Sequence, residues 1–159
     1  MMAQDTKKIS LSELLGERVF ILNGKKLKND VLNVLIDSIA EVEGMIPRED
    51  LEWGVLHRES IMSTGIGNGI AIPHVRLETI ETACMALAII PDGVSDYQTP
   101  DSKPVQLAFM IAAGGTERAK HLKILAAIGS LFYDGRLKAA FLASSDPANC
   151  LEILNRAEA

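Results

Sequence analysis

Apolar residues fall into two rhythms along the chain, one helical and one continuous. Between Leu27 and Glu43, Val31, Val34, Leu35, Ile39 and Val42 recur at helical spacing, which predicts an amphipathic helix with Asp30 well placed in its first turn. Gly44 is expected to stop it. Pro47 suits the first position of a second helix, where a missing N–H costs nothing, and that helix is expected to reach His57 or Arg58. The runs Ala83 to Ile90 and Val105 to Ala112 are apolar almost throughout, as strands covered on both faces are. Shorter signals predict a helix over Ile9 to Leu15, a strand over Arg18 to Leu22 ended by Asn23-Gly24, and a strand over Ile70 to Ile72 closed by Pro73. Pro91-Asp92-Gly93 reads as a turn, the polar stretch to Lys103 as irregular, and Ser63 to Gly69 as a loop. Thr116 is placed to cap a helix from Glu117 to Tyr133; two more helices are expected over Arg136 to Leu142 and Pro147 to Arg156. Residues 1–8 read as a loose tail and 9–159 as a single domain. Helices interleaved with apolar strands imply an α/β fold: a mixed four- to five-stranded sheet with helices on both faces, a three-layer α/β/α sandwich.

Composition narrows the function classes. The 159 residues are 48% hydrophobic and 23% charged with a net charge of -5, an ordinary globular balance. An acidic chain argues against a general nucleic-acid binder. Cys84 and Cys150 form no CxxC or Cys–His spacing and are expected to pack as small hydrophobes. A zinc site from His57, His74 and His121 lacks a supporting spacing, and nothing calls for a metal or an organic cofactor. The first eight residues hold no apolar core of a signal peptide, and the apolar runs are too short to cross a bilayer. The expected setting is cytoplasmic, without membrane insertion.

Chemistry concentrates between Arg58 and His74. The run Ser63-Thr64-Gly65-Ile66-Gly67-Asn68-Gly69-Ile70-Ala71-Ile72-Pro73-His74 is rich in glycine, yet it lacks the Gly-Lys-Ser/Thr of a P-loop, and its GxGxG spacing precedes a strand rather than a helix. A nucleotide fold is therefore disfavoured. What remains is a glycine loop whose amides could approach an anion, leading to a histidine at the end of a short strand. A neutral imidazole held there is a capable nucleophile. On local sequence alone, His74 also fits a half-buried strand-end residue. His121, on one face with Ile124, Leu125, Ile128 and Phe132, fits a boundary core residue, and Arg58 a solvated helix-end charge.

The segment from Arg58-Glu59 through the STGIGNGIAIPH run resembles the enzyme IIA component of the phosphoenolpyruvate-dependent phosphotransferase system, of the mannitol/fructose/nitrogen-regulatory type. The likeness extends from about Ile9 to Asn155 and takes in Lys103-Pro104-Val105 and His121-Leu122. It implies that His74 accepts a phosphoryl group from the histidine-containing phosphocarrier protein, then passes it to a downstream transfer domain or holds it as a mark read by a regulated protein. It further implies that His121 and Arg58 share the site. Arg58 would then offer a planar fork to the phosphoryl oxygens, and His121 a hydrogen bond from the first turn of a helix. Thr64 and the loop amides, Gly65 among them, are weaker candidates for the same cradle. Glu59 is expected to orient structure, and His57 to lie on the surface. The chain departs from the family pattern after the histidine, where Val75 replaces a commonly small residue and Arg76 adds charge. That bulk and charge beside the histidine are expected either to narrow which carrier can dock or to weaken transfer. Within these 159 residues no second transfer domain or membrane segment is seen, which points to the nitrogen-regulatory branch, with a separate fructose or mannitol transport subunit as the alternative. A module that keeps the fold without being phosphorylated is a third reading.

Overall fold

A computed structural model describes residues 8–159; the expected tail at 1–8 lies, apart from Lys8, outside the described residues. A six-stranded mixed sheet is sandwiched between two helical layers, one strand more than the upper expectation. In chain order the elements are α1 (Leu11–Leu15), β1 (Val19–Ile21), α2 (Lys28–Ala40), α3 (Arg48–Ile61), β2 (Gly65–Gly67), β3 (Ile70–Ala71), β4 (His74–Leu77), β5 (Cys84–Val94), β6 (Val105–Gly114), α4 (Arg118–Phe132), α5 (Arg136–Ala143) and α6 (Pro147–Glu158).

The two apolar runs form the centre. β5 and β6 pair antiparallel, Ala88 opposite Ala108. Strand alternation divides their side chains between two cores. Ala86, Ala88, Ile90, Ala108 and Ala112 meet the layer of α2 and α3, whereas Met85, Leu87, Ile89, Leu107 and Phe109 meet the layer containing α1, α4, α5 and α6. The Phe109, Phe132 and Phe141 rings stack edge to face in the second layer. β1 joins β5 in parallel, which leaves the other side of β6 for the site.

That side differs from expectation. β3 and β4 lie end to end along β6, both parallel to it, with Ile72 and Pro73 between them. His74 therefore opens a strand rather than ending one. Proline is tolerated because β4 has β6 as its only described sheet neighbour, and the Pro73 carbonyl still accepts from Ile111 N–H at 3.0 Å. The expected loop over Ser63 to Gly69 contains β2, which folds back antiparallel on β3 through Gly67-Asn68-Gly69. All three residues of that turn have positive φ, which explains the glycines.

Element ends moved by small amounts. α3 runs past Arg58 to Ile61 with Pro47 as its N-cap, and β5 continues through Pro91-Asp92-Gly93 with a register irregularity instead of turning there. Glu117, not Thr116, holds the N-cap position of α4, and its carboxylate accepts from Gly114 N–H at 3.2 Å.

Candidate phosphoryl-accepting site

The site sits where α3 crosses β4. Gly54 permits this approach: a Cβ there would lie 2.5 Å from Val75 Cγ2. The Val75 side chain is almost fully buried against α3, and it also forms part of the wall of the cleft that holds His74. Alternation along β4 sends His74 and Arg76 to the opposite face from Val75 and Leu77, and all four line a cleft of about 520 Å³ together with Arg58, Ile61, Trp53 and His57. His57 is exposed, as expected, and stacks on Trp53 one turn away, with ring centroids 4.8 Å apart.

His74 is half-buried, and its Nδ1 lies 2.9 Å from the Ile72 carbonyl oxygen. A carbonyl only accepts, so Nδ1 carries the hydrogen and Nε2 keeps its lone pair. Burial holds this imidazole below its usual range; Arg58 and Arg76 push the same way, while the Ile72 hydrogen bond and the charge of Glu59 oppose. Burial thus favours the neutral ring, with the free lone pair on Nε2.

His121 comes up from the first turn of α4, its ring centroid 4.9 Å from that of His74 and tilted by 51°. It is 6% exposed, and its Nδ1 is buried without a hydrogen-bond partner among the described residues. Burial, then His74 and Arg76, push its pKa down to about 4. His121 therefore belongs to the α4 stripe with Ile124, Ile128 and Phe132 and also faces His74. Arg58, in the last turn of α3, donates from Nη1 to the Met62 carbonyl at 2.7 Å and lines the cleft. The guanidinium both caps its helix and adds charge at the site.

The glycine segment does something other than expected. Gly65 is required because a Cβ would collide with the Gln98 carbonyl oxygen, and Gly67 to Gly69 form a turn whose Asn68 is clasped by Asp101 and Lys138. None of these glycines lines the cleft that holds His74. Thr64 is buried, and its hydroxyl is committed to the Glu59 carboxylate and, at 2.6 Å, to the Tyr97 hydroxyl. Thr64 and Gly65 thus do not line that cleft.

Glu59 does orient structure. Its side chain is 5% exposed, with Oε1 2.9 Å from Lys28 Nζ and Oε2 receiving the Tyr97 hydroxyl at 3.2 Å. Lys28 also lies over the Tyr97 ring, 4.3 Å from its centroid. Burial and the nearby Glu59 charge push the Tyr97 phenol well above its ordinary value, so it remains a hydroxyl donor. Sequence reading missed Lys28 and Tyr97; a lone aromatic within the polar stretch from Asp92 to Lys103 was the only hint.

Among the described residues no helix is long and apolar enough to cross a membrane. Residues 13–157 match the family model described as "Phosphoenolpyruvate-dependent sugar phosphotransferase system, EIIA 2". The chain is 30% identical over 93% of its length to a PTS system fructose-specific EIIABC component of Bacillus subtilis, of which it spans only 23%. It is 33% identical over 80% of its length to a nitrogen regulatory protein of Bradyrhizobium diazoefficiens, spanning 82% of that protein. The crystal structure of the nitrogen regulatory protein IIA-Ntr from Neisseria meningitidis superposes with a TM-score of 0.77 at 25% identity, covering 90% of this chain and 97% of that one. With its mixed sheet between two helical layers and its match over nearly all described residues, the chain belongs to the EIIA 2 family of the phosphoenolpyruvate-dependent phosphotransferase system.

Proposed function

We propose that residues 9–159 act as one cytoplasmic phosphocarrier domain in which His74 accepts a phosphoryl group from the histidine-containing phosphocarrier protein. The observation that carries this reading is the Nδ1–H of His74 held on the Ile72 carbonyl at 2.9 Å, which leaves Nε2 as the free nucleophile at a cleft that Arg58 and Arg76 also line. In the transfer, the donor N–P bond breaks and its electron pair stays on the donor nitrogen, while the Nε2 lone pair forms the new P–N bond. The Nδ1 proton stays in place throughout. Charge spread over the equatorial oxygens is met by Arg58. The neutral His121 supplies a hydrogen bond rather than a positive charge. Thr64, whose carbonyl accepts from Ile72 N–H at 3.0 Å, and Gly65 help to place the hairpin that leads to His74.

The phosphorylated form then serves a downstream transfer domain or a regulated protein. Similarity along 82% of a nitrogen regulatory protein, together with the IIA-Ntr fold, supports the regulatory branch, in which the mark itself is the output. A phosphoryl group brings a charge of about -1.5 to -2, enough to switch docking at the cleft. The likeness to a fructose-specific component supports the alternative of a sugar-transport subunit.

The test uses labelled phosphoenolpyruvate, enzyme I and the phosphocarrier protein with the wild type, His74→Ala and His121→Ala. Acid-labile label is expected on the wild type and absent from His74→Ala, while His121→Ala accepts it but passes it on poorly. No label on the wild type from any cognate carrier would overturn phosphotransfer and leave a binding module.

A further inference from the structure

A path of hydrogen bonds, joined covalently within Thr64 and within Ile72, runs from Lys28 to His74. Lys28 Nζ pairs with Glu59 Oε1 at 2.9 Å; Glu59 Oε2 receives the hydroxyls of Thr64 and Tyr97; and the Thr64 and Tyr97 oxygens lie 2.6 Å apart. The Thr64 carbonyl accepts from Ile72 N–H at 3.0 Å, and the Ile72 carbonyl accepts from His74 Nδ1 at 2.9 Å. The backbone group that selects the His74 tautomer is therefore linked, through residues Thr64 and Ile72 and the one backbone hydrogen bond between them, to the cluster of Lys28, Glu59, Thr64 and Tyr97.

The segment between Asp92 and Lys103 holds that cluster closed. Asp96 accepts from Lys28 N–H at 2.7 Å, the Gln98 carbonyl from the Ser63 hydroxyl at 2.7 Å, and Asp101 from Asn68 N–H at 2.8 Å. Tyr97 is 3% exposed and reaches both Thr64 and Glu59, so it touches no docking partner. A buried carboxylate without a cation or hydrogen bonds is strongly disfavoured, so removing Lys28 or the Tyr97 hydroxyl weakens the hold on Glu59 and Thr64.

We propose that Tyr97 and Lys28 are positioning residues for His74: with Glu59 and Thr64 they anchor the hairpin so that the Ile72 carbonyl holds the imidazole in its Nδ1–H form. The inference rests on phosphoryl transfer at His74 for its functional meaning, but not for its measurement. A displaced acceptor carbonyl frees the ring to rotate and to move its proton to Nε2, which removes the attacking lone pair. A displacement of about 1 Å can cost about a hundredfold in rate, so a partial loss of the productive ring orientation is expected to cost about tenfold, and because neither residue touches the carrier its KM is expected to hold.

The experiment compares Tyr97→Phe, Lys28→Met and Lys28→Arg with the wild type in the full chain. Two-bond nitrogen–proton correlation spectra of the imidazoles report the tautomer without any transfer reaction. The wild type is expected to show His74 as a single Nδ1–H form. Tyr97→Phe and Lys28→Met are expected to show a mixture with the Nε2–H form and about a tenfold lower maximal phosphorylation rate at unchanged KM for the carrier, and Lys28→Arg is expected to recover both. An unchanged His74 spectrum in Tyr97→Phe overturns the proposal, as does a rise in KM alone. Should Lys28→Met fail to fold, Tyr97→Phe and Lys28→Arg carry the same comparison. A wild type with the expected tautomer that accepts no label sinks the phosphotransfer reading while leaving the anchor intact.

Discussion

Gly54→Ala should destabilise this protein relative to the same change at another helical glycine, although helix propensity favours alanine at both. Gly54 lies inside α3 and Gly129 inside α4, so each substitution gains about 1 kcal/mol of propensity. At Gly129 a Cβ meets nothing within 4 Å. At Gly54 it meets Val75 Cγ2 at 2.5 Å, Leu77 Cδ1 at 3.5 Å and Val75 Cβ at 3.6 Å. Val75 cannot retreat easily, because it is 3% exposed within the core of α2 and α3 and its backbone is paired to Ala112. Overpacking of this kind costs about 1–3 kcal/mol, so Gly129→Ala is expected to stabilise and Gly54→Ala to fall below it by that amount. Val75→Ala removes two buried methyl groups and loses about 2 kcal/mol on its own. In the double variant the methyl introduced by Gly54→Ala fills the vacated space, so the two losses should be sub-additive by about 1–3 kcal/mol. Urea unfolding of the five proteins at a common m-value gives every term. If Gly54→Ala stabilises as much as Gly129→Ala, or the losses simply add, the close crossing of α3 over β4 is not what seats His74.

Two further outcomes follow from the charges. Arg58→Ala should slow phosphorylation of His74 by about ten- to a hundredfold, equivalent to about 1.4–2.8 kcal/mol of lost charge-assisted bonding; an unchanged rate in a rapid-quench assay removes the guanidinium from the site. His121 is pushed down to about 4 in the folded chain against 6.5 in the unfolded one, so the unfolded chain binds the extra proton between those values and its contribution to stability, on the order of 3 kcal/mol, is present above pH 6.5 and lost as pH falls toward 4. Burial depresses His74 as well and acts in the same direction. His121→Leu should therefore flatten the fall in Tm between pH 6.5 and 4.5, and an equally steep fall in that variant would show that His121 protonates freely in the fold.

How far the sequence reveals such a site depends on how local the controlling contacts are. β5, β6, α2 and α3 were readable because each buries a face set by its own periodicity, and Val31, Leu35 and Ile39 report that face without reference to anything distant. β2 was not readable. Its glycines argue for a loop, and only pairing with β3 makes Gly65 and Gly67 a strand. Pro73 looked like a strand end because proline lacks an N–H, yet an edge strand parallel to β6 needs only its carbonyl there. The same distinction separates the residues of the site. His74, Arg58 and Glu59 stood out through a contiguous motif, whereas Lys28 and Tyr97 reach Glu59 and Thr64 from distant points in the chain, and neither has a local pattern that marks it. A motif of this kind overstates its own members: Gly65 owes its place to the Gln98 carbonyl and Thr64 to a buried carboxylate. The glycine run thus encodes a hairpin that aims one imidazole, and the groups that hold the hairpin lie where sequence periodicity has nothing to say.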